Sequence, residues 1–328
     1  MKKREIRKFI VMIMGIILLV SEVQLFSGDN VYASTKTSRY EQLYVPSYAA
    51  MSGKMLYYAV GSGAQGGRLY MYNTSTKRQK KISDLRCTDL TITKKNIYCT
   101  VNKYIGSDAR NRYVYRMSKD GKKTKVLAEG YSPVVVGKYI YYIGVKKGSA
   151  PWNANVKVEY GSTGIYRMDS NGRNKKCIYR FSGKVSTDKL IAGKNRVIFT
   201  GSNSVTYAIG TNGKMTRASI STSKNRISTF TWLTSSTINK LPISNNKYGY
   251  IYKIQGAALV RCKGTSRRTI FKVPAQYVRN GGINYVIDCG DYLFVVSGYT
   301  YAFVVSKSGA GVKNVAAALI CLLYTSDA

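Results

Sequence analysis

The stretch IYRMDSNGRNKKCIY, residues 165–179, nearly repeats an earlier one, VYRMSKDGKKTKVL, residues 114–127. In both, apolar residues alternate with polar ones, which is the period-2 pattern of a strand with two distinct faces. Asn-Gly or Asp-Gly follows, and these pairs supply the positive φ angles that tight hairpin turns require. A Lys-rich run then returns to apolar residues. Each stretch therefore predicts a strand, a tight turn and a second strand.

A second signal, a small turn followed by an aromatic strand, precedes each of these hairpins. Weaker relatives of the Tyr-Arg-Met hairpin follow the other copies of this signal. With the turn starts taken as 53, 95, 137, 193, 247 and 290, the spacings are 42, 42, 56, 54 and 43 residues, so the repeat runs along the whole chain. The six copies are GKMLYY (53–58), KKNIYCTV (94–101), GKYIYYIGV (137–145), GKNRVIFTG (193–201), NKYGYIYKI (246–254) and GDYLFVVSG (290–298).

The repeat unit has four strands, because a short apolar run such as DLTITKK (89–95) also precedes each turn. Four antiparallel strands at a period near 40 residues are typical of a propeller blade. We therefore predict an all-β fold, a β-propeller of about six four-stranded blades, with an incomplete last blade as an open alternative. The predicted blades lie near 45–82, 87–128, 131–180, 187–220, 237–273 and 283–316, within a repeat domain at 34–320.

The two hairpin sequences IYRMDSNGRNKK and VYRMSKDGKKTK resemble blades of a propeller-like domain of unknown function. That family is related to the propeller of the low-density-lipoprotein receptor and is common in secreted proteins of Gram-positive bacteria. The resemblance covers roughly residues 45–316 and implies a fold but no defined chemistry. The chain lacks the Tyr-Trp-Thr-Asp signature of the receptor propellers, so their ligand rules are not carried over.

The N-terminal segment 1–33 predicts a cleaved signal peptide. Five basic residues precede a 12-residue apolar run, Phe9 to Val20, which is shorter than the about 20 residues of a spanning helix. Small residues suit cleavage after Ala33. An uncleaved anchor is the alternative, and Glu22 argues against it. We expect a secreted, extracellular protein, with the cell wall as one expected place of attachment.

The last eight residues, CLLYTSDA at 321–328, follow no blade pattern. The codons TGT CTC TTA TAC ACA TCT GAC GCT translate to this string and resemble the end of a transposase-type sequencing adapter. We therefore expect a non-native, adapter-derived tail, which leaves open a missing last strand, a seventh blade or a further domain after residue 320. A genuine short tail is the alternative.

The charge of the chain indicates its partners. Lys and Arg number 52 against 15 Asp and Glu, and without residues 1–33 the net charge is still +35. Such a field attracts polyanions, so we expect an anionic cell-wall polymer or polysaccharide as partner, or another surface protein. We expect no specific nucleic acid, no membrane after signal cleavage, and a monomer. The alternative is that lysines only solvate exposed strands and blunt sheet edges.

Catalytic and metal-binding residue types are scarce. The chain has no His, which excludes catalysis by a His base and His-ligated metals. A carboxylate pair such as Asp84 and Asp89 could act in glycoside hydrolysis only if folding brought suitable groups together. No Gly-rich phosphate loop or calcium loop is present. We therefore expect neither enzymatic activity nor a cofactor nor a metal.

The cysteines do not form a zinc motif, because no Cys-x-x-Cys pair occurs. Cys87 and Cys99 fall on adjacent predicted strands and could form a disulfide. The odd number of cysteines before the tail argues against a full disulfide framework. Buried free thiols are the favoured interpretation; a thiol that reacts with a partner is the alternative.

The candidate ligand site is the longest insertion, a predicted loop at 145–164 in the third blade. Aromatic side chains flanked by lysines suit sugars and anionic groups, and propellers bind ligands through loops at a rim. The alternative is that the Trp folds back over the blade as a hydrophobic plug. We interpret Trp232, which lies in a Ser/Thr-rich stretch, as a packing residue. The candidate residues are Lys146, Lys147, Trp152, Lys157 and Tyr160.

These observations favour a secreted, non-enzymatic binding module for anionic cell-envelope or extracellular polymers. One alternative is the propeller scaffold of a larger enzyme, of lyase or peptidase type, whose catalytic part lies beyond residue 320. Another is a structural spacer domain.

Overall fold

The structure is a computed structural model in which most of the described backbone is β-strand. A three-residue 3-10 turn at Ala275–Tyr277 is the one helical element of the described residues. Within those residues, no helix is long and apolar enough to cross a membrane. The predicted signal peptide, the C-terminal tail and Trp232 lie outside them. The described residues are 41–60, 66–76, 78–105, 109–182, 189–201, 205–220, 225–227, 229–231, 250–278, 282–289, 292–297, 301–307 and 312–313.

The strands follow one another in short antiparallel hairpins. In chain order they are β1 (Glu41–Leu43), β2 (Ala49–Ser52), β3 (Met55–Val60), β4 (Gly67–Asn73), β5 (Gln79–Ile92), β6 (Asn96–Ile105), β7 (Ala109–Ser118), β8 (Thr124–Val136), β9 (Tyr139–Ala150), β10 (Asn153–Asp169), β11 (Lys176–Arg180), β12 (Ile191–Ala192), β13 (Arg196–Thr200), β14 (Thr206–Gly210), β15 (Met215–Arg217), β16 (Asn225–Ile227), β17 (Thr229–Thr231), β18 (Ile251–Gln255), β19 (Ala258–Lys263), β20 (Ser266–Lys272), β21 (Ile283–Cys289), β22 (Tyr292–Ser297), β23 (Tyr301–Ser306) and β24 (Val312–Lys313).

The first three repeat units share one ten-stranded sheet, β2 to β11, rather than forming the separate sheets that the sequence predicts. The reason is that β5 and β8 each serve two units. The first part of β5 pairs with β4 and its end pairs with β6, and β8 divides in the same way between β7 and β9. Positive φ angles at Asp89 (51°) and Ser132 (54°) bend the two strands where one unit passes into the next.

The later units are separate sheets. Strands β12 to β15 form a fourth unit, β18 to β20 a three-stranded unit, and β21 to β24 the last unit. Strand β17 adds to the last unit by pairing with β21, and β1 pairs in parallel with β16. The sequence does not predict these two pairings.

The hairpin turns have the predicted chemistry. Gly121 and Gly172 have φ angles of 78° and 82°, which Gly adopts without steric cost. The carboxylate of Asp169 accepts hydrogen bonds from the backbone N–H of Asn171 and Arg173 at 2.8 and 2.9 Å. These bonds satisfy turn donors that no strand partner reaches.

The core runs between the units. A single buried cluster extends from the first unit to the fourth, through side chains such as Tyr57, Tyr141 and Phe199. A second cluster joins the unit β18–β20 to the last unit. Both faces of the strands are therefore apolar, as radial stacking requires.

The last unit packs against the first. Tyr58 stacks with Tyr70 at 5.8 Å and lies 5.7 Å from the ring of Phe294. Ile287, Phe294 and Val296 belong to the same buried cluster as Leu56 and Tyr58. This closing contact joins the ends of the repeat array, which a linear solenoid does not do. The fold is all-β and of the propeller type.

The segment 43–47 is buried between units. Tyr44 forms a β-bridge with Ala192 of the fourth unit, and Ser47 forms one with Leu90 of the second unit. The Tyr44 hydroxyl donates to the carbonyl of Leu90. Burial raises the pKa of Tyr44, although a hydrogen bond with Thr91 opposes the shift. The segment thus links β12 of the fourth unit to the part of β5 that belongs to the second unit.

Candidate ligand-binding hairpin

The predicted loop at 145–164 is a long β-hairpin. Strands β9 and β10 continue beyond the four-stranded unit and are joined by a two-residue turn, Pro151 and Trp152. The pairing continues from Gly164 opposite Gly144 to Asn153 opposite Ala150, with three irregularities in register. The Gly, Pro and Asn residues are typical of a loop, but Pro151 lies at the turn, Asn153 and Gly161 lie at irregular positions, and Gly148 pairs with Val158. The insertion therefore presents its side chains from a paired scaffold.

Two aromatic side chains on the hairpin are exposed. Trp152 is 58% exposed at the tip and Tyr160 is 60% exposed on β10. The Tyr160 ring lies over Gly148, where an added Cβ would be 2.8 Å from the ring edge. The ammonium of Lys146 is 5.3 Å from the ring centroid, within the range of a cation–π interaction. Trp152 does not fold back as a plug.

Strand β10 of the hairpin is fixed to β7 of the second unit. Arg112 forms an ion pair with Glu159, whose side chain is 7% exposed, and Arg112 Nε donates to Glu159 Oε1 at 2.9 Å. The guanidinium also lies 3.3 Å above the Tyr131 ring. Asn111 donates to the carbonyl of Lys157 at 2.9 Å. Because these contacts are largely buried, they hold the hairpin in one orientation.

The structure does not bring the three predicted lysines together as one free cationic cluster. Lys146 and Lys157 are exposed, and Lys157 Nζ donates to Ser149 at 2.7 Å. Lys147 instead pairs with Glu129 and donates to the hydroxyl of Tyr113 at 3.2 Å. Burial alone would lower the pKa of Lys147, but these two partners raise it above its usual value. Its charge is therefore compensated within the protein.

A buried ion pair, which the sequence does not predict, joins β5 to the residues just before β12. Asp89 pairs with Lys189, and both side chains are about nine-tenths buried. Asp89 also accepts from Thr100 at 2.8 Å, and Lys189 donates to the carbonyl of Pro46 at 3.0 Å. Burial acts to raise the pKa of Asp89, but the positive charges of Lys189 and Arg112 and the hydrogen bonds outweigh it, so that pKa is lowered.

The carboxylates considered for acid–base chemistry have structural partners instead. Asp84 is exposed and pairs with Lys81 and Arg68, whereas Asp89 is buried with Lys189. A general acid needs a raised pKa near the working pH, and the pKa of each of these carboxyls is lowered. For Asp84, the hydrogen bond from Lys81 lowers the pKa most. Among the described residues, no group of three His, Cys, Asp or Glu could hold a metal ion.

Free thiols are found at Cys87, Cys99, Cys177 and Cys262. Cys87 and Cys99 are fully buried on β5 and β6, and their sulfur atoms are 3.6 Å apart without a covalent bond. Cys177 is partly buried and Cys262 is buried. The hydrogen bond that Cys99 donates to Cys87, together with burial, raises the pKa of Cys99 well above its usual value, which makes the thiolate, the reactive form, rare.

The sheets and the closing contact define the class of protein as a propeller-type domain. No family model matches the chain, and no curated protein matches it. Among solved structures, it is similar to a puromycin-hydrolysing peptidase of Mycobacterium tuberculosis, with 11% identity and a TM-score of 0.41 over 83% of this chain and 45% of that one. The chain thus spans less than half the length of the peptidases it matches.

Two lyases are also similar in structure. An oligogalacturonate lyase in complex with manganese has 8% identity and a TM-score of 0.36, over 79% of this chain and 76% of that one. An ulvan lyase has 10% identity and a TM-score of 0.35, over 88% and 84% of the two chains. Likeness at this level supports no inference about activity.

Proposed function

We propose that the protein is a secreted, non-enzymatic binding module for anionic, sugar-containing polymers of the cell envelope or the extracellular space. The observation that carries the proposal is the pair of exposed aromatic rings, Trp152 and Tyr160, on a hairpin whose strand β10 is fixed by buried contacts. Exposed apolar surface held on a fixed element supports an interaction site, and an aromatic ring with a polar tip suits a ligand that is partly apolar.

The chemistry of the hairpin suits a charged sugar. An aromatic face packs against the apolar face of a sugar ring, and the exposed Lys146 and Lys157 lie on the same hairpin to attract an anionic group. A net charge of +37 for the whole chain raises the local concentration of any polyanion. Lys147 is excluded from this role because Glu129 compensates its charge.

The test measures the binding of a purified sugar-containing wall polymer and of inorganic polyphosphate, which has no sugar ring, by titration calorimetry. Trp152→Ala should weaken sugar-polymer binding about tenfold, since one stacked aromatic contributes about 1–3 kcal/mol in aromatic–base contacts, while polyphosphate binding stays unchanged. Met215→Ala is the control, because Met215 is an exposed apolar side chain on β15, outside the hairpin.

Substitution of the two exposed lysines of the hairpin is the second part of the test. A double variant, Lys146→Gln with Lys157→Gln, should weaken sugar-polymer binding and reduce its salt dependence. Unchanged binding in both the Trp152 and the lysine variants would contradict the proposal. Absence of binding to any anionic polymer would favour the spacer or enzyme-scaffold alternatives.

A further inference from the structure

A second charged surface lies on the outer strands of the first three units and shares no residue with the hairpin. The strand that follows each Asp-Gly or Asn-Gly turn, or its counterpart in the first unit, carries exposed cations. Together they form a surface that we call the basic belt: Arg78, Lys80, Lys81, Lys122, Lys123, Lys125, Arg173, Lys175 and Lys176.

The belt continues from one unit to the next because the turn of each unit lies on the outer strand of the unit before it. Gly121 approaches Ile82 so closely that an added Cβ would overlap the Ile82 carbonyl. An added Cβ at Gly172 would be 3.0 Å from the Leu127 side chain. Gly121, the residue before Lys122, therefore packs on the outer strand of the first unit. Gly172, the residue before Arg173, packs on the outer strand of the second unit.

The belt is poorly compensated by acidic groups. Asp84 pairs with Lys81. The carboxylates of Asp120 and Asp169 accept hydrogen bonds from backbone N–H groups of their own turns. The other eight belt cations form no direct ion pair with the described residues, although the charges of Lys122 and Arg173 act on Asp120 and Asp169 and help to lower the pKa of each carboxyl. The ion pairs outside the belt include Arg112 with Glu159, Lys147 with Glu129, Lys189 with Asp89 and Arg196 with Glu41, so these carboxylates are not available to the belt.

Edge protection alone does not account for this arrangement. A lysine on an outer strand blunts that edge against pairing with another sheet, and one or two per unit are sufficient for that purpose. Placement of the cations beside turns that contact the preceding unit instead produces a continuous surface. Seven of the nine cations are Lys, which acts as a flexible point charge rather than as a fork for one anionic group.

We propose that the basic belt binds a flexible linear polyanion that crosses the three outer strands, recognised by its charge density and length rather than by its monomer. The inference extends the proposed function to a second surface, but it does not depend on the hairpin. A long chain contacts several units at once, and linked contacts strengthen binding far beyond a single one. A short polyanion reaches only one unit.

The probes are long-chain inorganic polyphosphate and inorganic triphosphate, titrated at several salt concentrations. The belt variant carries Lys122→Gln, Lys123→Gln and Lys125→Gln. The control variant loses the same charge at exposed lysines outside the belt and the hairpin, Lys214→Gln, Lys253→Gln and Lys272→Gln. Circular dichroism checks that both variants fold.

The belt variant should bind long polyphosphate at least about tenfold more weakly, and its slope of log affinity against log salt should fall by about 2, since each lost contact removes about 0.7–0.9. Triphosphate binding should be weak in all proteins. The control variant should lose less than about threefold. An equal loss in the two variants would overturn the proposal, because net charge alone would then explain binding.

A measurement on the unchanged protein gives an independent check. Lysine acetylation followed by mass spectrometry should show protection of Lys122, Lys123 and Lys175 by long polyphosphate, while Lys214 and Lys253 stay reactive. Equal protection of all these lysines from acetylation, or protection of none of them, would overturn the proposal that the basic belt binds the polymer. Trp152→Ala should leave polyphosphate binding intact, so failure of the hairpin proposal and failure of the belt proposal give different results.

Discussion

Asp89 carries its charge in the interior because its environment compensates for burial. Its carboxylate faces the ammonium of Lys189 and the hydroxyl of Thr100, and Ser132 joins the network because its backbone N–H donates to Thr100 Oγ1 at 3.0 Å. Ser132 in turn accepts from the backbone N–H of Leu190 at 2.8 Å. Residues of the second, third and fourth units are thus held by one set of polar contacts. A buried charge without its partner is strongly unfavourable.

Lys189→Met should therefore destabilise the protein by about 3–5 kcal/mol at neutral pH, because Asp89 is left buried and unpaired. The lowered pKa of Asp89 stabilises the fold above its unfolded pKa of about 4, and that contribution is lost as the pH falls through the folded pKa. The difference between wild type and variant should shrink at acid pH. Urea unfolding at neutral pH and near pH 3 measures it.

Lys54→Met is the control for this prediction, because Lys54 is exposed in a turn and its replacement should cost less than about 0.5 kcal/mol. A destabilisation by Lys189→Met that does not depend on pH would show that packing of the lysine stem, rather than the ion pair, holds the units.

At the scale of the elements, the hairpin turns determine how closely the units approach. Gly121 and Gly213 both have positive φ angles, 78° and 84°. Gly121 lies against the backbone of Ile82, whereas an added Cβ at Gly213 meets nothing within 4 Å. Alanine variants at the two turns therefore distinguish the loss of stability caused by backbone strain from the loss caused by a clash between units.

Gly121→Ala should destabilise the protein by more than about 3 kcal/mol, since strain and a backbone clash add. Gly213→Ala should cost about 1 kcal/mol, from strain alone. Thermal unfolding of the two variants measures the difference. Equal effects would mean that the second unit does not press its turn on the first.

The sequence predicts these elements unevenly, for physical reasons. Asn-Gly and Asp-Gly identify the turns because few other residue pairs adopt their φ angles, and the period predicts the fold class. The hairpin strands of 145–164 escape prediction because Gly148, Pro151 and Gly161 are typical of loops. The partners of Asp89 also escape it, since Lys189 is distant in sequence and no local pattern marks the pair.

At the scale of the whole molecule, the contact between the last and first units closes the array. Tyr58 on β3 and Phe294 on β22 meet across it at 5.7 Å. The sequence predicts strands at both ends but not the register in which they meet. The parallel pairing of β1 with β16 was equally unpredictable, because it joins segments that share no repeat pattern.

A double-mutant cycle tests the closing contact. Tyr58→Leu and Phe294→Leu should each destabilise the protein, with a coupling of about 0.5–1.5 kcal/mol between them, as aromatic pairs in contact show. The control cycle combines Tyr58→Leu with Phe271→Leu, because Phe271 packs against Phe303 in a different cluster. Coupling near zero in the first cycle would indicate an open array.

The central claim, that the protein binds anionic polymers, is tested most directly by titrating the unchanged protein with a purified anionic wall polymer over a range of salt. Each neutralised charge releases a counterion, so we expect affinity to fall at least about tenfold between about 50 mM and 200 mM salt, by analogy with nucleic acids. Affinity that does not change with salt, or no binding at the lowest salt, would contradict the claim.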